Sequence, residues 1–183
     1  MTRLQSLTDV EAAIWQELDR AVHGQGQRHA WRTAVLATVD GDAADARSIV
    51  LRDLDVAERT LLIYTDARSP KAQQVAAHPH GMLVLWSPAL GWQLRLRVAL
   101  SLETSGLRVS SRWATLRLTP AAQDYLSPLP PGTALSESAP STQNREHFAI
   151  LAAQVLSMDW LELHPQGHRR ALFSAASAAW ITP

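Results

Sequence analysis

The 183-residue chain has no cysteine, and Lys71 is the only lysine among its 17 basic residues. Without cysteine there can be no disulfide, thiolate zinc site, iron–sulfur cluster or cysteine nucleophile, and nothing points to an oxidising compartment. Excess charge is also missing, because 17 Asp plus Glu offset the 17 Lys plus Arg. Nucleic-acid binders carry a basic excess or stripe for the phosphate backbone, so the balance excludes nucleic acid as a partner. No apolar run approaches the roughly 18 residues that span a bilayer. The opening MTRLQSLTDVEAAIW carries Arg3, Asp9 and Glu11 where a secretory leader needs its apolar segment. These absences predict a cytoplasmic protein with no membrane association. One domain over 1–183 is expected, large enough to bury about 70% of the extended-chain surface.

What is present reads mainly as short strands. An N-terminal helix is expected within 1–28: Thr8 and Glu11 have capping-box spacing, and Val10, Ile14, Leu18 and Val22 form one apolar stripe. From Trp31 the period shortens. TAVLATV (33–39), ARSIVLRDL (46–54) and TLLIYT (60–65) are β-branched and apolar runs separated by polar turns. Ser69 and Pro70 then open a short helix that stops at His78-Pro79. GMLVLWS (81–87) follows, and GWQLRLRVALSLE (91–103) alternates strictly, with Trp92, Leu94, Leu96, Val98, Leu100 and Leu102 on one face.

Val109, Trp113 and Leu116 predict a further helix, and Thr119-Pro120 starts another through Leu126. Residues 127–142 hold four prolines and form a long loop. Phe148, Leu151, Ala152 and Val155 have helical spacing, which predicts a helix over about 143–155. Strands at 158–164, 169–174 and 178–182 close the chain. The order predicts a mainly β, α+β fold: an antiparallel barrel with flanking helices.

Three places can carry chemistry. The helix opening at Ser69 offers free N–H groups and a favourable dipole, and Thr65, Ser69 and Lys71 add donors suited to a phosphate; a capped surface helix with a solvated lysine fits the same residues. Arg47 and Arg52 stand five apart on one strand, so they point to opposite faces unless a bulge intervenes. Gln93, Arg95 and Arg97 line the polar side of their strand, where an amide suits a flat heteroaromatic edge and where simple solvation is the other reading. His78-Pro79-His80 and Glu162-Leu163-His164 lack supporting ligands, so no metal is expected. GxSxG, P-loop and GxGxxG motifs are all absent.

Four stretches in order resemble the pyridoxamine 5'-phosphate oxidase-like flavoproteins: Arg47-Ser48-Ile49-Val50-Leu51-Arg52, Tyr64-Thr65 with Ser69 and Lys71, His78-Pro79, and Trp92-Gln93-Leu94-Arg95. The similarity spans about residues 30–183. It implies an FMN-binding split barrel, with FMN contacted by Arg47, Ile49, Val50, Leu51, Arg52, Tyr64, Thr65, Ser69 and Lys71, by Gln93 at the ring, and by Arg170. It also implies a homodimer with the flavin between subunits.

The resemblance thins toward the substrate. The family's Ser-Arg-Lys is Ser69-Pro70-Lys71, with Arg68 adjacent; its Gln-Ser pair is Gln143-Asn144, and His164 stands for a tryptophan. Tyr125 and His168 match substrate residues, whereas Leu129 and Thr133 stand where an arginine and a serine bind the substrate phosphate. The expectation is an FMN-dependent oxidoreductase acting on a small substrate, with no catalytic base identified. The alternative is a flavin- or haem-binding protein for storage or sensing, without turnover.

Overall fold

The computed structural model describes residues 3–24, 29–134 and 145–183. Eight antiparallel strands form one sheet: β1 (Thr33–Asp40), β2 (Ala43–Asp55), β3 (Thr60–Asp66), β4 (His80–Ser87), β5 (Trp92–Glu103), β6 (Phe148–Glu162), β7 (Arg169–Ser174) and β8 (Ala178–Ile181). Their order is β3-β2-β1-β4-β5-β6-β7-β8, and β3 also pairs with β6, so six strands close into a barrel. The split lies in β6. Phe148 to Gln154 pair with β3, and Ser157 to Glu162 then pair with β7. Between them Leu156 is an extra residue against Arg97 and Val98 of β5, a bulge that turns the strand from one partner to the other.

β6 overturns the helix expected at 143–155. Phe148, Ile150 and Ala152 face a cluster with Val109, Trp113 and Leu116, while Leu151, Ala153 and Val155 face the barrel interior. A strand covered on both faces has no polar alternation, and its continuous apolar run mimics helical spacing.

Three helices pack on this frame: α1 (Leu7–His23), α2 (Pro70–Ala77) and α3 (Leu107–Leu116). Val10, Ile14, Leu18 and Val22 of α1 are buried in the barrel core, as their spacing predicts. Its cap is Ser6 rather than Thr8: the Ser6 hydroxyl accepts from the Asp9 amide at 3.1 Å and donates to the Asp9 carboxylate at 2.7 Å. Beyond α3, Pro120–Tyr125 forms only a 3-10 turn. None of the described helices is long and apolar enough to cross a membrane.

Candidate functional site

The sites build from β1, β2, β3 and α2. Inward positions of β2 carry Arg47, Ile49 and Leu51 in alternation; Ile49 and Leu51 are core residues, so any cofactor contact they make passes through the backbone. Val50 lies on the other face and is partly buried. Arg47 reaches toward α2. Its Nη1 donates to Thr38 Oγ1 at 2.6 Å and to the Leu36 carbonyl at 3.2 Å. Its Nη2 donates to Gln74 Oε1 at 2.8 Å and also to Asp45 Oδ2.

Ser69 sits at the N-cap of α2 with Pro70 following, as expected, but its buried hydroxyl lies 3.2 Å from that of Thr65 and makes no cap bond. The first-turn N–H groups of α2 therefore lack a side-chain acceptor from the cap. Lys71, half-buried one residue into the helix, makes no hydrogen bond or ion pair among the described residues. Burial lowers its pKa, and the nearby Arg47 charge lowers it further; the weaker pull of Asp66 acts the other way. Two cations thus stand close together beside a helix N-terminus.

Arg52 and Tyr64 belong to another group. Leu51 pairs with Ile63 and Asp53 with Leu62, which leaves Arg52 as a bulge residue. The bulge turns Arg52 toward α3: its guanidinium lies 5.9 Å from the Tyr64 ring centroid and its Nη2 donates to the Tyr125 hydroxyl at 3.4 Å. Tyr64, Tyr125 and Phe148 pack edge to face around it. Beside them opens a cavity of about 360 Å³ lined by His23, Arg32, Arg52, Asp53, Arg112 and Thr119, among others. Arg112 pairs with Asp53, and Arg32 donates to the Val22 carbonyl at 3.0 Å, while Arg52 has no ion pair among the described residues.

Gln93 and Arg170 form a third group. Register places Trp86, Gln93, Leu161, Arg170 and Ile181 in one row across β4 to β8. The Gln93 amide has no partner among the described residues, whereas Arg170 is held by two bonds to Asp159, at 2.9 and 2.7 Å. His168 stands exposed in the β6–β7 turn, where its Nδ1 accepts from the His164 amide at 3.2 Å. It is therefore separate from Tyr125. Gln143 and Asn144 lie outside the described residues.

Arg68 does not join Lys71. It pairs with Asp66 at 2.7 Å and donates to the carbonyls of Ser127 at 2.9 Å and Pro128 at 3.0 Å, which pins the proline-rich segment to the turn before α2. The Leu129 carbonyl accepts from the same arginine at 3.4 Å and from the Ser127 hydroxyl at 2.9 Å.

Comparison with known proteins turns this geometry into a family assignment. The family described as "Pyridoxamine 5'-phosphate oxidase, FMN-binding domain" matches residues 12–102, the span holding β1 to β5 and α2. The chain belongs to the pyridoxamine 5'-phosphate oxidase-like family. A pyridoxine/pyridoxamine 5'-phosphate oxidase of Caulobacter vibrioides is 26% identical over 161 residues, covering 80% of this chain and 72% of its own. Another, from Gloeothece citriformis, is 34% identical over 101 residues, covering 51% and 45%. Among solved structures, a pyridoxamine 5'-phosphate oxidase-related, FMN-binding protein of Nostoc punctiforme has a TM-score of 0.76 at 24% identity, covering 98% of this chain and all of that one. This last likeness is one of fold.

As in the family's FMN-binding domain, the cofactor is FMN. The start of α2 fits a phosphate monoester on its own chemistry, since an unpaired half-buried ammonium beside a guanidinium needs an anion.

Sequence reasoning missed two sets of residues. Thr38, Asp45 and Gln74 surround Arg47, and His23, Arg32 and Arg112 line the cavity at Arg52. No local motif marks them, because their partners come from distant strands and helices. In the second set the carboxylates of Asp19 and Asp53 lie 2.9 Å from the two ring nitrogens of His23. These bonds, Asp19 first, raise its pKa above the usual value of about 6.5. A raised histidine pKa adds stability that is complete below the unfolded value and is lost as pH rises through the folded one. The denaturation midpoint of the wild type is expected to fall more between about pH 6 and pH 8 than that of His23→Gln. Parallel urea curves at both pH values test this; equal shifts would remove His23 from the stability balance.

Proposed function

We propose that this protein is a homodimeric FMN-dependent oxidoreductase acting on a small anionic substrate. The observation that carries the reading is the unpaired, half-buried Lys71 beside Arg47 at the start of α2. In this reading Arg47, Thr65, Ser69 and Lys71 hold the phosphate of FMN, and the backbone of Ile49, Val50 and Leu51 lies along the cofactor. Charge-assisted bonds from Lys71 and the first-turn N–H groups orient the dianion.

FMN, when bound, supplies the two-electron redox chemistry. Arg52, Tyr64 and Tyr125 border the substrate. An unpaired Arg52, with Arg32 and Arg112 in the same cavity, favours a carboxylate or phosphate there. Loss of the cationic side chain at position 129 argues for a substrate other than a vitamin B6 phosphate, whose anion that position serves in the family. No residue in the cavity stands out as a general base.

The row from Trp86 through Gln93 to Arg170 presents an amide and a guanidinium outward, next to exposed Val35, Trp86, Leu172 and Ile181. An apolar outer face of this kind is costly in water and is covered by a second copy in this reading. The flavin then lies between the subunits, with Gln93 and Arg170 against it.

The purified protein is expected to be yellow and to release FMN on denaturation. Protein that stays colourless and takes up no added FMN would overturn the reading. Photoreduced holoprotein mixed with oxygen and with small organic acids, followed by flavin absorbance, then separates an oxidoreductase from a carrier: reoxidation that no substrate ever reverses in the dark marks a carrier.

A further inference from the structure

We propose that Gln74 is a positioning residue that sets the Arg47 guanidinium against Lys71 for the phosphate of FMN, an inference that rests on reading the start of α2 as the phosphate site. Gln74 is 6% exposed, in the middle of α2, one helical turn beyond Lys71. Its Oε1 accepts from Thr38 Oγ1 at 2.6 Å and from Arg47 Nη2 at 2.8 Å, and its Nε2 donates to Asp45 Oδ2 at 2.8 Å. The amide has one workable orientation here. Arginine can only donate and an ionised aspartate can only accept, so the carbonyl faces Arg47 and the amino group faces Asp45. The carboxyl of Asp45 is held below its usual range, first by the Gln74 bond and then by Arg47, so it stays ionised near neutral pH.

Thr38 completes the clamp by taking the second Arg47 nitrogen at 2.6 Å while donating to Gln74. The helix that carries Lys71 is thereby tied through one side chain to β2, which carries Arg47 and Asp45, and to β1, which carries Thr38. Gln74 is also neutral. Asp45 already pairs with Arg47, so a second carboxylate in place of Gln74 would make the surroundings of the guanidinium net negative and oppose a phosphate, whereas an amide fixes the direction of the guanidinium without adding charge. Rotamer freedom of a long arginine is a cost of binding, and a fixed guanidinium has paid it before the ligand arrives.

The test compares FMN with riboflavin, which has the same ring system without the phosphate. Apoprotein is titrated with each, following quenching of flavin fluorescence. Gln74→Ala is expected to weaken FMN binding about tenfold and to leave riboflavin binding unchanged. In an Arg47→Ala background the same substitution is expected to change FMN affinity by less than about twofold, since the two residues act as one unit. Equal losses for FMN and riboflavin would mean a merely structural role and overturn the inference, as would unchanged FMN affinity or full additivity with Arg47→Ala. If Gln74→Ala does not fold, Thr38→Val, which removes the hydroxyl at nearly constant volume, must give the same phosphate-selective loss. Failure of the underlying reading looks different: wild-type protein would then bind riboflavin as tightly as FMN, or bind neither.

Discussion

Lys71→Ala is expected to weaken FMN binding by about 1.5–3 kcal/mol, roughly ten- to a hundredfold, because it removes a charge-assisted hydrogen bond from a partly desolvated site. The loss should fall on the phosphate, so riboflavin affinity should hardly move. Isothermal titration of the apoprotein with both flavins measures it. Unchanged FMN affinity would return Lys71 to the ordinary solvated surface. The same residue sets a pH dependence. Burial and the Arg47 charge lower the Lys71 pKa from its ordinary value. Its ammonium is then lost at a lower pH than in a free lysine, and FMN affinity declines as pH rises through that lowered value. A bound dianion opposes the shift by favouring the charged form, so binding in this range takes up protons. The Lys71→Ala variant should lack that proton uptake.

Trp160→Ala is expected to cost about 3–5 kcal/mol of folding stability, a large share of the roughly 5–15 kcal/mol that holds a domain together. Trp160 on β6 is fully buried, with Trp92 edge to face at 5.2 Å and Trp180 at 6.2 Å between ring centroids. Arg169 also lies over its ring, at 5.8 Å. Truncation leaves a cavity on the stretch of β6 held between Leu94 of β5 and Ala171 of β7, where paired strands on both sides limit collapse. Trp160→Phe should be much milder. The indole N–H has no hydrogen-bond partner among the described residues, so the phenyl ring gives up area but no bond. Denaturant midpoints rank the three proteins; equal midpoints for the wild type and the alanine variant would show that the site relaxes fully.

The candidate site was legible to different depths. Order and spacing in the stretch from Arg47 to Lys71 located β2, β3 and the start of α2, and local pattern is enough for that because caps and strand alternation act over a few residues. The same alternation left Arg47 and Arg52 on opposite faces, and the structure keeps them there. A bulge at Arg52 turns it to the tyrosines instead of toward Arg47. Within one chain, Arg47 and Lys71 stand together, while Arg52 and Arg68 lie with other partners. Arg68 pairs with Asp66 two residues away and donates to the carbonyls of Ser127 and Pro128, 59 and 60 positions away, contacts that no local pattern encodes.

Composition and periodicity by themselves determined that this chain builds an antiparallel barrel with flanking helices, and that its only lysine stands in the first turn of a helix. Those properties follow from side-chain alternation, capping chemistry and the absence of cysteine and of net charge, all of which are local or additive. Only the tertiary structure decided that Phe148–Glu162 is one strand rather than a helix and a strand, because burial on both faces erases the periodicity that distinguishes the two. It alone joined Gln74 and Thr38 to Arg47 and parted Arg52 from Lys71. Hydrogen bonds between distant segments depend on strand register and on bulges, and these are fixed when the barrel closes.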